Sequence, residues 1–161
     1  MRHLRFSVPV TPVSKLRARA SASSTAKGGF RMFTPKKTRD YEALIGQACW
    51  TAMQATGLSI LDGIPLTMNI LFRFPVPKSA ASRVGQYHLL DPDLTNLVKA
   101  VEDGCQGILY KNDNCIARVS ATKWWNVEAS VEVEFTWFDI SRGVMDDYER
   151  TDALAEGRDV F

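Results

Sequence analysis

A chain of 161 residues with 45% apolar, 24% charged and 10% aromatic residues suits one compact domain with a sizeable core. No apolar run approaches the roughly 20 residues of a membrane-spanning helix, and the alternating start MRHLRFSVPV does not read as a secretion signal. A soluble, cytoplasmic protein without membrane association is expected. Cys49, Cys105 and Cys115 are odd in number and lack CxxC or Cys/His spacing, which points to buried thiols in a reducing compartment and away from a zinc site.

The net charge of +2 conceals an asymmetry. Residues 1–40 carry ten Lys or Arg against one acid, Asp40, whereas residues 139–161 carry seven acids against three arginines. Without that tail the body has 17 bases and 11 acids, a +6 balance that favours a polyanionic partner.

In chain order, Leu4, Phe6, Val8 and Val10 alternate with polar residues and predict a half-buried strand ended by Pro9 and Pro12. Residues 13–34 are basic and rich in Ser, Ala and Gly, with no apolar period, which predicts a mobile loop. Pro35 and Thr38 introduce a helix to about Thr56, with Tyr41, Ile45, Ala48, Ala52 and Thr56 as its apolar stripe, widened by Leu44, Cys49 and Met53. Gly57 suits its C-terminal cap.

Ile64, Leu66, Met68, Ile70, Phe72 and Phe74 follow a strict period of two, with Thr67, Asn69 and Arg73 on the other side. After a loop at 75–90, a second helix is predicted over 94–106, with Leu94, Leu97, Val98, Val101 and Cys105 forming the buried stripe. Residues 115–122 predict a third strand and 127–137 a fourth, in which Val127, Ala129, Val131, Val133, Phe135 and Trp137 share one face. Alternation this regular means one covered and one open sheet face. The fold class is therefore α+β: two layers, a mainly four-stranded mixed sheet with two helices on one face. The domain spans 1–138, and 139–161 form an acidic C-terminal tail.

The stretch 91-DPDLTNLVKAVEDGCQGILYKND-113 concentrates acids in an otherwise basic body. On the second helix Thr95, Lys99, Glu102, Asp103 and Gln106 lie opposite the buried stripe. Each acid has an ordinary structural role: Asp93 suits an N-cap, Asp113 between two asparagines suits a turn, and Lys99 with Asp103 suits a surface i,i+4 pair. His88 reads as a loop residue, and Trp124–Trp125 as a strand-end pair.

Taken together, DLTNLVKAVEDGCQGILYKNDNCI from Asp93 to Ile116 resembles the signature of the RusA-type Holliday-junction resolvases. That signature runs D-[LIV]-D-N-L-x-K, three residues, D-[AG]-L-x-G-[IV]-[LV]-x, then an acidic turn before a strand. Upstream, FSVPVTPVSKLRAR is similar to the family's FxVPxxPxxKxRxR, and FTPKKTRDYE to its first helix start. The resemblance covers about residues 4–137.

It implies a homodimeric, Mg²⁺-dependent endonuclease that cuts four-way DNA junctions by paired nicks. The family's first aspartate falls on Asp93, its helix lysine on Lys99 and its last aspartate on Asp113; the second falls on Thr95, a departure from the pattern. A Mg²⁺ ion needs only one or two carboxylates plus waters and phosphate oxygens, so Asp93 and Asp113 make a minimal site, with Asp91 the stand-in for the missing acid. Lys99 would neutralise charge on the scissile phosphate. Lys15, Arg17, Arg19, Lys36, Lys37 and Lys123 are the foremost candidates for phosphate contacts. Two other readings stand beside this one. A junction- or branched-DNA-binding protein would have weak or no cleavage because of Thr95, and an unrelated α+β domain would bind some other acidic partner.

Overall fold

The computed structural model describes residues 1–16, 19–22, 30–33 and 35–138. The elements run β1 (Arg2–Val8), β2 (Arg19–Ala22), β3 (Phe30–Phe33), α1 (Lys36–Thr56), β4 (Leu66–Pro75), α2 (Leu94–Cys105), β5 (Ile116–Asn126) and β6 (Ser130–Trp137). The main sheet is ordered β1-β6-β4-β5, with β4 and β5 parallel and the other pairs antiparallel. The expected mixed four-stranded sheet and two helices are present, and every second residue of β4 and β6 is buried.

The helices lie over the buried face, and their crossing is set by two glycines. A Cβ on Gly46 would come within 2.7 Å of the Gly104 carbonyl oxygen. A Cβ on Gly104 would stand 2.9 Å from the Glu42 carbonyl oxygen and from Ile45 Cβ. This close approach rotates the contact faces away from those drawn by hydrophobicity alone. On α1 the buried residues are Thr38, Tyr41, Ile45, Gly46, Cys49 and Met53, while Leu44 is 45% exposed and Thr56 also faces solvent. On α2, Ala100 and Gly104 join Leu97, Val101 and Cys105 in the interior, leaving Leu94 and Val98 half-buried. Gly57 caps α1 in the left-handed conformation (φ 64°), as expected.

Three further expectations are corrected. The stretch 13–34 contains a two-stranded antiparallel ribbon, β2–β3, pairing Arg19 with Phe33 and Ala22 with Phe30; four-residue strands without apolar alternation leave no periodic trace. β5 continues to Asn126 rather than stopping near 122, because β4 pairs with it through Asn126 and residues 85–88 bond its other edge: Gly85 and His88 N–H groups donate to Trp125 and Lys123 carbonyls, and Trp125 N–H donates to the Gln86 carbonyl. Val127 lies before β6, 71% exposed, and not on its inward face. The acidic tail 139–161 lies outside the described residues. No helix among the described residues is long and apolar enough to cross a membrane.

Candidate active site

α2 carries the polar face of the acidic stretch 91–113, and two elements bring partners to it. The Gly107 turn (φ 77°) and a return through Leu109 and Tyr110, both fully buried, fold the chain back after α2. The Tyr110 hydroxyl donates to the Glu102 carbonyl at 2.9 Å, fixing that return against the helix. A short 3₁₀ turn, Asp113–Cys115, capped by the Asn112 side chain, then leads into β5. As a result Asp113 reaches Lys99, fourteen residues away in sequence, with Lys99 Nζ donating to Asp113 Oδ2 at 2.5 Å.

Lys99 also lies 3.3 Å from Asp103 and 3.5 Å from Glu102. Asp103 turns its other oxygen to Lys15, 2.6 Å away, and Lys15 in turn meets Glu42 of α1 at 2.6 Å. The result is a chain of alternating charge, Glu42–Lys15–Asp103–Lys99–Asp113, with Glu102 at its side. Its four carboxylates share two ammoniums, a formal excess of two negative charges.

Each charge perturbs the next. The hydrogen bond and charge of Lys99 hold the Asp113 carboxyl below the ordinary carboxylate range. The bond to Asp113, together with Asp103, raises Lys99 well above its ordinary value against the opposing effect of burial. Burial, opposed by Lys99, raises Glu102. Burial would lower Lys15, but Asp103 and Glu42 together outweigh it and raise the ammonium.

The other end of α2 is different. Asp93 occupies the N-cap position, but its side chain makes no capping hydrogen bond. It is exposed and accepts one long bond, 3.3 Å, from Asn96 Nδ2. Asp91, also exposed, precedes it across a cis Asp91–Pro92 peptide. Among the described residues neither carboxylate is ion-paired. Between the two ends an open groove of ≈ 460 Å³ runs between α2 and β5, with Thr95, Lys99 and Glu102 on one wall and Val119 and Ala121 on the other.

The predicted site residues thus separate into groups. Lys99 and Asp113 are brought together, while Asp91 and Asp93 stand at the entrance of the same helix. Glu102, Asp103 and Glu42 complete the charged chain, and of these Glu42 was absent from the sequence reading; its position on α1 gives no local signal. Asp103 has the structural role expected of it. Two of the expected phosphate contacts have partners within the chain. Lys15 is committed to two carboxylates, and Lys123 Nζ donates to the carbonyls of Leu90 and Pro92, both at 2.8 Å. Lys36 and Lys37 are exposed at the start of α1, Lys36 lying 3.5 Å from Asp40. Arg19 is on β2, and Arg17 lies outside the described residues.

His88 is buried, stacked on Phe74 (ring centroids 4.0 Å apart) and tilted against Trp125 (4.2 Å). Trp125 is buried with it, while Trp124 is half-buried against exposed Tyr87. Cys49 and Cys105 are free and buried, and Cys115 is free and half-buried.

The model of the endodeoxyribonuclease RusA family matches residues 9–136. The chain belongs to the RusA endodeoxyribonuclease family. It is also 26% identical over 139 residues to the uncharacterized protein YqaN of Bacillus subtilis (strain 168), an alignment covering 81% of this chain and 93% of that relative. The RusA match begins just after β1 and runs to the penultimate residue of β6, so it contains every element that builds the acidic site.

The donor set bears on the divalent metal that RusA-type nucleases generally require. Among the described residues no three His, Cys, Asp or Glu side chains converge as a ready metal cage. Mg²⁺ does not need one: it keeps several waters and takes one or two carboxylates together with substrate phosphate oxygens. Exposed Asp91 and Asp93 and the partly exposed Asp113 are hard oxygen donors of that kind.

Proposed function

We propose that the chain is a Mg²⁺-dependent, structure-specific endodeoxyribonuclease that resolves four-way DNA junctions by paired nicks in recombination, repair or phage DNA processing. The observation that carries this reading is the Lys99–Asp113 contact: the lysine and last aspartate of the family signature, far apart in sequence, meet beside a groove lined by Lys99 on the helix that Asp93 opens.

In this reading Asp93 and Asp113, with Asp91 beside them in place of the acid missing at Thr95, hold the cation. A divalent cation bound there would supply an activated water and stabilise the charge of an in-line displacement. Asp93 needs no release for this role, because its carboxylate is not engaged in capping. Asp113 is kept ionised by Lys99, so it is available as an anionic ligand throughout the neutral range. Lys99 holds its proton tightly and offers a fixed positive charge to the scissile phosphate as negative charge builds there. Thr95 contributes a neutral hydroxyl to the groove wall.

Exposed Lys36 and Lys37, and Arg19 on the ribbon, remain the candidates for phosphate contacts, which give salt-sensitive, sequence-independent affinity. Paired nicks on a two-fold substrate call for two sites related by the same axis, so the working species is a homodimer.

The test is a labelled four-way junction incubated with Mg²⁺ and wild type, Asp93→Asn, Asp113→Asn or Thr95→Asp. Symmetric paired nicks from wild type that disappear in both Asn variants are expected, with junction binding unchanged or tighter as repulsion from phosphate is removed. The threonine at position 95 favours one second reading, a junction-binding protein without cleavage. In that case wild type binds tightly and never nicks, and Thr95→Asp gains cutting. Equal affinity for junction and linear duplex, with no cleavage by any variant, would contradict both.

A further inference from the structure

Lys123 occupies a position that a lysine rarely takes. In the register of the parallel pair it stands beside Phe72, which is fully buried on the helix-covered face. Strand alternation therefore turns its side chain toward the helix-covered face at the edge of the sheet, where it is half-buried. Its ammonium finds partners in the carbonyls of Leu90 and Pro92, each 2.8 Å from Nζ.

Those carbonyls flank Asp91 and immediately precede Asp93. The segment before them is fastened to β5 by backbone bonds from Gly85 to His88, and the buried His88 ring adds packing. After His88 the backbone bonds to β5 stop, although the His88 ring also bonds the Leu90 backbone. Leu89 is 86% and Leu90 57% exposed, so neither side chain holds the loop by burial. Pro92 has no N–H to donate, and the Asn96–Asp93 bond is long at 3.3 Å. Among the described residues, Lys123 thus shares the hold on Leu90 with the His88 ring and supplies the bond to Pro92, the residue before Asp93. Gripping one carbonyl on each side of Asp91 fixes both peptide planes. It thereby sets the directions in which the Asp91 and Asp93 side chains leave the backbone.

We propose that Lys123 is a positioning residue: its ammonium, bound to the Leu90 and Pro92 carbonyls, holds the carboxylates of Asp91 and Asp93 in the geometry that receives the cation. This rests on the cation-binding reading given above. It replaces a phosphate contact with an internal one, and the two roles make opposite predictions.

The full chain, its Lys123→Met variant and its Lys123→Gln variant are compared by three measurements: amide exchange, Mn²⁺ binding without DNA followed by electron paramagnetic resonance, and junction affinity across a salt series with single-turnover cleavage. For Lys123→Met, exchange over residues 89–95 accelerates while the rest of the sheet is unchanged. Mn²⁺ affinity falls about tenfold, and cleavage falls by about 10- to 100-fold through misplacement of the acids. The salt slope of junction binding stays as in wild type. Lys123→Gln, whose amide can serve one of the two carbonyls, falls between; it carries the test alone if Lys123→Met does not fold. Unchanged Mn²⁺ affinity in the folded variants overturns the proposal, as does a salt slope reduced by about 0.9, the signature of one lost phosphate contact. If wild type does not nick junctions, the nuclease reading fails, while exchange and Mn²⁺ binding still decide the role of Lys123.

Discussion

The two ends of α2 hold acids in opposite ways. Toward its C-terminal end Asp103, Glu102 and Asp113 share Lys99 of the same helix, and Asp103 adds Lys15 from outside it, so each acid there is ion-paired. At its N-terminal end Asp91 and Asp93 are exposed and free of ion pairs among the described residues, and the chain between them is gripped through its backbone. The difference separates two tasks. A paired acid has a fixed place, and in Asp113 a lowered affinity for protons, whereas an unpaired acid on a restrained backbone keeps its oxygens for a ligand. A cation bound between the two ends would draw on both properties, and the contrast can be broken or sharpened experimentally.

The largest effect is expected from the acids themselves. Loss of one metal ligand should remove several kcal/mol of transition-state stabilisation, about 10³-fold in single-turnover cleavage, in either Asp93→Asn or Asp113→Asn. Equal losses at both positions would join the two ends in one site; a loss at Asp113 alone would leave Asp93 a structural N-terminal residue.

Lys99→Met should reduce cleavage by about 10²-fold and also release Asp113. The Asp113 titration, followed by carboxyl carbon NMR, should move up toward the ordinary 3.8. The sign follows from linkage: a carboxyl depressed in the folded state contributes stability above its unfolded pKa and loses it as pH falls through the folded value. The Lys99–Asp113 contribution should therefore vanish only below pH 3.8, leaving the neutral range flat. An Asp113 midpoint unmoved by Lys99→Met would show that the pair is not formed in solution.

Gly104→Ala sharpens the structural half of the comparison. The added methyl would meet the Glu42 carbonyl oxygen and Ile45 at 2.9 Å, pushing α2 away from α1 beside Lys15. Thermal or denaturant unfolding should show a loss of about 1–3 kcal/mol, the usual range for overpacking. The smallest effect concerns His88. Burial first, and the Lys123 charge second, hold its imidazole below the ordinary 6.5. The folded state then binds fewer protons than the unfolded one, so stability should decline as pH falls below 6.5, and less so in His88→Phe. Parallel unfolding curves for the two proteins at about pH 7.5 and about pH 5.5 check this.

The strands that carry a two-residue rhythm, LTMNILFRF and SVEVEFTW, were legible because one buried face forces strict alternation. The ribbon β2–β3 was not, since its four-residue strands form a separate two-stranded sheet and RASA holds no apolar pattern. The end of β5 was obscured because KWWN places a lysine at an inward position, which makes sense only once the Leu90 and Pro92 carbonyls are beside it. Helix faces were read nearly right but rotated: hydrophobicity favoured Leu44 over Gly46, while the close helix crossing required the glycine.

For the site, Asp93, Lys99 and Asp113 could be picked out by their spacing and by family resemblance, but the Lys99–Asp113 contact depends on the Gly107 return. Charge alone gave no sign of the internal partners of Lys15 and Lys123, because a count of bases does not show which carboxylates or carbonyls an ammonium meets in the fold.

The most direct test of the account is whether the two ends of α2 bind one cation together. Mn²⁺ titration of wild type, Asp93→Asn, Asp113→Asn and the double variant, followed by electron paramagnetic resonance, forms a double-mutant cycle. A shared site predicts one cation, a loss of affinity in each single variant, and a double variant little weaker than either single. Additive losses, or Mn²⁺ affinity that survives Asp93→Asn, would contradict it.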